Sequence, residues 1–148
     1  MNAATLRAME MRDLPAVTRL DEICQPHPWG PANFQAELLR RDDGFHRIVE
    51  DGCDSIAYLC SWMILDELHI GTIGVHPDHR RTGLGARLME AAHAWARGRA
   101  GTIAHLEVRA GNVAAIAMYG RLGYRRVGVR KAYYADNQED AHLLMADL

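Results

Sequence analysis

The chain has 148 residues, 49% of them hydrophobic and 24% charged, and a formal net charge of -2. That length suits a single folded domain spanning residues 1–148, with room for a real core. The ordinary composition excludes a low-complexity chain, and the absence of a basic excess argues against direct electrostatic binding of nucleic acid.

Thr5 to Met9 reads as a first strand. Met1-Asn2-Ala3-Ala4-Thr5 carries neither a cationic run nor a long apolar one, so no signal peptide is expected. Asp13 is placed to cap a helix with Pro15 in its first turn. Leu14, Val17, Leu20, Ile23 and Cys24 then share one helical face. Prolines at 26, 28 and 31 predict an irregular segment. A second helix is predicted from Pro31 to Arg41, with Phe34, Leu38 and Leu39 inward. Phe45 to Glu50 and Ser55 to Leu65 read as strands joined by a hairpin turn at Asp51-Gly52-Cys53-Asp54.

Ile56 to Leu65 is the most apolar stretch and is too short to span a bilayer. Leu68 to Val75 makes a further strand. Gly83 to Arg97 is the longest helix, with Leu84, Leu88, Ala91, Ala92 and Trp95 at helical spacing and Gly98 as its stop. Ile103 to Val108 is a buried strand, and Asn112 to Leu122 a helix closed by Gly123. Tyr124 to Tyr134 and His142 to Met145 supply two last strands. The predicted order is β-α-α-β-β-β-α-β-α-β-β. It implies an α/β (α+β) fold: a mixed central sheet of about six to seven strands flanked by about four helices, with one parallel crossover in the middle.

Cys24, Cys53 and Cys60 are odd in number and lack CxxC spacing. This disfavours a disulfide framework or zinc ribbon, points to small core residues, and suits a reducing, cytoplasmic setting. His76 and His79 flank Asp78, but no further ligands follow at a suitable spacing, so the expectation is no metal.

The segment from Ile73 to Ala86 runs strand, turn, helix, with Arg80, Arg81, Gly83 and Gly85 in the turn. Free N–H groups, the helix dipole, the close approach that glycine permits and two arginines all favour an anion such as pyrophosphate. A Walker A loop is excluded because no Gly-Lys-Ser/Thr precedes the helix. A dinucleotide fingerprint is excluded because Leu88 stands where its third glycine or alanine belongs. Farther on, Glu107 lies in an otherwise apolar strand, where a carboxylate calls for a cleft, a partner or a shifted pKa. A structural ion pair with Arg109 or another arginine would serve equally. Asn112 stands where a helix begins, and Tyr119 lies two turns along the same face.

Arg-Arg-Thr-Gly-Leu-Gly (80–85) resembles the Q/R-x-x-G-x-G/A coenzyme A signature of the GNAT superfamily of N-acetyltransferases. The run from Leu106 to Tyr119, with Pro28-Trp29, Leu122-Gly123-Tyr124, Tyr133-Tyr134 and Glu139-Asp140-Ala141, resembles its RimI branch of ribosomal-protein-alanine acetyltransferases. The resemblance covers essentially the whole chain. It implies a GNAT fold and acetyl-CoA as cosubstrate, with the N-terminal alanine of a ribosomal protein as acceptor and no metal. It also implies roles. Backbone groups of Ile73, Gly74 and Val75 would bind the acetyl and pantetheine part. Arg80, Arg81, Thr82, Gly83, Leu84, Gly85 and Ala86 would hold the pyrophosphate, and Asn112 would contact the cofactor. Glu107 would be general base and Tyr119 general acid, with Trp29, Tyr133 and Tyr134 on the peptide side. Tyr133 and Tyr134, adjacent on a strand, would face opposite sides.

The chain departs from the branch at Gly30 and Gly111, where serine or threonine is usual, and at Gly71 inside a strand. Alternatives are a GNAT enzyme for another protein N-terminus, a lysine or a small amine, a noncatalytic acetyl-CoA-binding module, and a nucleotide binder.

Overall fold

The computed structural model describes residues 4–40 and 42–148. Met1, Asn2 and Ala3, part of the segment searched for signal-peptide features, and Arg41, the expected end of the second helix, lie outside the described residues. The elements are β1 (Thr5–Ala8), α1 (Leu14–Cys24), α2 (Pro31–Leu38), β2 (Gly44–Asp51), β3 (Asp54–Ile64), β4 (Glu67–Val75), α3 (Leu84–Gly98), β5 (Ile103–Arg109), α4 (Val113–Arg121), β6 (Arg125–Arg130) and β7 (Ala141–Asp147). Among the described residues this is the expected order, with seven strands and four α-helices.

The strands form one mixed sheet in the order β1-β2-β3-β4-β5-β7-β6. β1, β2 and β3 pair antiparallel. β4 and β5 pair parallel, Glu67 opposite Ile103, Leu68 opposite Ala104 and His69 opposite His105. Parallel neighbours need a long crossover, and α3 supplies it. β7 is antiparallel to both β5 and β6 and lies between them.

The chain packs as two compact units. The first holds the described residues up to Trp62 together with Gly71–Ala92; the second holds Met63–Ile70 and His93–Leu148. In the first, Val17 and Leu20 of α1, Phe34 of α2, Ile48 of β2, and Tyr58 and Cys60 of β3 form a core with Met9. Asp21 is fully buried beside it. A buried carboxyl needs partners; it accepts from the Tyr58 hydroxyl at 2.7 Å and from the Trp29 N–H at 2.6 Å. These two bonds pin the proline-rich segment to β3. In the second unit, Ala104, Leu106 and Val108 of β5 are buried along with Ala141, Leu144 and Ala146 of β7, Tyr119 of α4, and Tyr124.

Four local expectations need correction. Asp13 stands at the N-cap of α1 without bonding a helix N–H through its side chain. Arg7 takes both its oxygens, at 2.7 and 2.8 Å, and the Glu10 N–H shares one of them, so a charged pair outcompetes the cap. α2 stops at Leu38, and Leu39, expected inward, is 60% exposed because it is the C-cap and leaves the helical stripe. β6 stops at Arg130, where Ala132 is left-handed (φ 49) and its N–H is held by Asp140 at 2.8 Å. Tyr133 and Tyr134 therefore lie outside a strand. Finally, Cys60 is buried and Cys24 half-buried, but Cys53 is exposed in the hairpin turn.

Candidate active site

In the first unit the end of β4 is braced from below. Gly74 is buried, and a Cβ there would stand 2.5 Å from the Tyr58 ring. The Gln25 amide donates to the Ile73 carbonyl at 2.9 Å and to the Tyr58 hydroxyl at 3.2 Å. Burial, then Asp21, pushes the Tyr58 phenol well above its ordinary range, so it stays a neutral donor. Arg80 turns back onto the strand, its Nε donating to the Val75 carbonyl at 3.0 Å. It shapes the turn with that nitrogen.

His76 and His79 belong to the same construction. The His76 ring accepts the Asp78 N–H at 3.1 Å, and the His79 N–H donates to the His76 carbonyl at 2.9 Å. Thr82 Oγ1 closes the turn on the His79 carbonyl at 2.5 Å. Arg81 and Gly83 are both left-handed, with φ 63 and 83. Left-handed residues in such a turn gather backbone N–H groups into a concavity that suits an anion. α3 opens at Leu84, so the N–H groups of Leu84, Gly85 and Ala86 have no intrahelical acceptor. The dipole of α3 and the exposed Arg81 side chain add positive charge to this concavity.

Trp29 is partly buried against the first core, stacked on Trp62 at 6.4 Å and edge-on to Phe34 at 5.3 Å. Gly71 explains itself here: a Cβ would run into the Trp62 ring, with Trp29 also in contact. Gly30 is the N-cap of α2 at φ 83, a conformation that serine or threonine reaches only with strain.

The second unit gathers the other group. Glu107 is exposed on β5 rather than buried, and its carboxylate pairs with Arg130 at 3.4 Å. The charge of the same carboxylate pushes the nearby Tyr133 phenol up. The Arg130 guanidinium sits 5.4 Å from the Tyr133 ring centroid. Tyr134 packs edge-on to Tyr133 at 5.1 Å and lies under Arg109 at 3.9 Å. Arg109 itself goes to Asp136 and Glu139, at 3.1 and 3.4 Å, leaving Glu107 to Arg130.

Tyr119 is 5% exposed. Burial, then Tyr134, raises its phenol to about 12, so it carries its proton throughout the neutral range. Its ring packs on Tyr124 at 5.7 Å, and no hydrogen bond from its hydroxyl to another described residue is formed. Asn112 caps α4 by accepting the Ala115 N–H at 3.3 Å, which leaves its amide N–H groups for an outside acceptor. Glu139 takes the Gly111 N–H at 2.6 Å beside this cap, and that bond holds its carboxyl below the usual range.

Glu107, Arg130, Tyr133 and Tyr134 are thus brought together, Tyr119 packs on Tyr124, and the residues from Ile73 to Ala86 form a separate constellation with their own brace. Sequence reasoning missed Arg130 as the partner of Glu107, and Asp21, Tyr58 and Gln25 as the brace. Arg130 carried no signal, because β6 and β5 are separated by β7 in a non-sequential order. Asp21 did carry one: an acidic residue beside Leu20 on the apolar face of α1.

A family model described as "Acetyltransferase (GNAT) family" matches residues 14–124. The chain is 33% identical over 142 residues to the [ribosomal protein bS18]-alanine N-acetyltransferase of Escherichia coli (strain K12), covering 95% of each chain. It is 34% identical over 128 residues to the N-alpha-acetyltransferase RimI of Mycobacterium tuberculosis, covering 81% of this chain and 76% of that one. Among solved structures, the ribosomal-protein-S18-alanine N-acetyltransferase from Escherichia coli superposes with a TM-score of 0.90 at 30% identity, over 98% of this chain and 94% of that chain.

Proposed function

The chain belongs to the acetyltransferase (GNAT) family, and on that premise we propose that it moves acetyl from acetyl-CoA to the α-amine of an N-terminal alanine on a ribosomal protein. The observation that carries the substrate is its likeness to a bS18-alanine acetyltransferase along 95% of both chains. Residues 1–148 act as one acetyltransferase domain in this reading.

The chemistry follows from the side chains. The pyrophosphate of acetyl-CoA takes the N–H groups and charge of the turn from Arg80 to Ala86. The pantetheine arm takes backbone groups of Ile73, Gly74 and Val75, and Asn112 offers its amide. An α-amine has a reference pKa of about 8, so a large part is protonated at neutral pH. Glu107, open to solvent and paired with Arg130, takes that proton directly or through water. The free amine attacks the thioester carbonyl, whose oxygen gathers charge against the Val75 N–H. The tetrahedral carbon then expels the thiolate, Tyr119 gives the sulfur a proton, and the remaining excess proton on the acetylated nitrogen returns through water to the phenol. Trp29, Tyr133 and Tyr134 contact the peptide. No step in this sequence calls on a metal.

The test is acetyl-CoA with two peptides, one beginning Ala-Arg and one N-blocked with an internal lysine, read by mass spectrometry. Acetate is expected on the α-amine of the first. Acetate on lysine alone keeps the chemistry and rejects the acceptor. Coenzyme A binding without thiol release on any amine would leave a binding module.

A further inference from the structure

Glu67, His69 and His105 form a cluster that acetyl transfer does not use. Glu67 and His69 are two apart on β4, so their side chains leave the same face of the strand. His105 stands directly opposite His69 in the parallel register of β4 and β5. The two imidazoles meet edge to face with centroids 3.8 Å apart. One ligand atom from each of the three residues lies within 4.8 Å of the others, and all three residues are half-buried.

The geometry points to a binding site for a zinc-class divalent cation, held by one carboxylate oxygen of Glu67 and one ring nitrogen each of His69 and His105. Two imidazoles and a carboxylate suit zinc, cobalt or nickel, whereas magnesium and calcium take oxygen donors. Donors around tetrahedral zinc stand about 3.4 Å apart, so side chains already within 4.8 Å close on the ion by small torsions. Three protein ligands leave the fourth position to water or an outside donor. The backbone under the site is a paired ladder between two interior strands, which holds the ligands more firmly than a loop does. The His-x-x-His of the phosphate turn is not this site: its rings are 5.9 Å apart and one nitrogen is already bonded to Asp78.

The untagged full chain is titrated with zinc chloride against a chromophoric chelator at neutral pH, and with cobalt chloride by visible absorption. One equivalent should bind and raise the unfolding temperature. His69→Gln and His105→Gln should each weaken binding by about ten-fold or more, while Cys53→Ser and the paired His76→Gln, His79→Gln variant bind as before. Cobalt should show the visible bands of a nitrogen and oxygen site. Absent stoichiometric binding, equal affinity after His69→Gln, or a thiolate-to-cobalt band would each overturn the site. The last needs no variant to fold.

Discussion

Glu107 and Tyr119, proposed as base and acid, stand in opposite environments. Glu107 is exposed and paired with Arg130. Tyr119 is buried, protonated, and spends its hydroxyl on no other described residue. Glu107→Gln keeps the shape of the side chain but loses the base. Turnover should drop by about 10²–10⁴-fold, with acetyl-CoA affinity by calorimetry nearly unchanged; a wild-type rate would remove Glu107 from the reaction. Tyr119→Phe breaks no hydrogen bond to another described residue and should leave the unfolding midpoint close to wild type. Its kcat should fall by about ten-fold or more if the phenol protonates the thiolate. An unchanged kcat would assign that proton to water.

At the level of elements, the end of β4 that leads into the Arg80–Ala86 turn depends on a brace that lies outside it. Asp21 of α1 holds Tyr58 of β3, Gln25 ties Tyr58 to the Ile73 carbonyl of β4, and Gly74 leaves room for the ring. Tyr58 is fully buried, so it has nowhere to retreat. Gly74→Ala should therefore destabilise the protein by about 1–3 kcal/mol through overpacking, seen as a lower urea midpoint, and should weaken acetyl-CoA binding. An unchanged midpoint would mean the ring yields. The α4 cap follows the simpler rule that an Asn before a helix accepts an N–H, and its position was legible in the sequence. The Asp13 cap followed the same local rule and failed, because Arg7 offered a stronger partner.

For the molecule as a whole, the buried histidines set the response to acid. His93 is 4% exposed, bonded to the Tyr124 hydroxyl at 2.7 Å, and pushed down to about 4 by burial and then by Arg97. Its reference value is 6.5, so between pH 6.5 and 4 the unfolded chain binds the extra proton and the folded chain resists it. Stability present at neutral pH is therefore lost as pH falls through that window, by on the order of 3 kcal/mol at most from this group. His46 and His69, also lowered by burial, act with the same sign. Urea midpoints measured from pH 7 to 4.5 should decline, and His93→Gln should flatten part of the slope. A flat wild-type profile would contradict the burial account.

The sequence by itself determined the order of elements, the strand-turn-helix from Ile73 to Ala86 and the Asn112 cap, because periodicity, caps and glycine-containing turns are local rules written within a few residues. Only the tertiary structure decided who partners whom. Arg130 meets Glu107 because β7 enters between β5 and β6, and Asp21 is satisfied because α1 packs on β3. His69 meets His105 because parallel pairing brings together segments 36 residues apart in number (105 less 69). Tyr133 and Tyr134 left the strand that their residue types favoured because Asp140, eight positions beyond Ala132, captures the Ala132 N–H. In each case charge pairing or strand register, acting across sequence distance, overrode or completed what local propensity proposed.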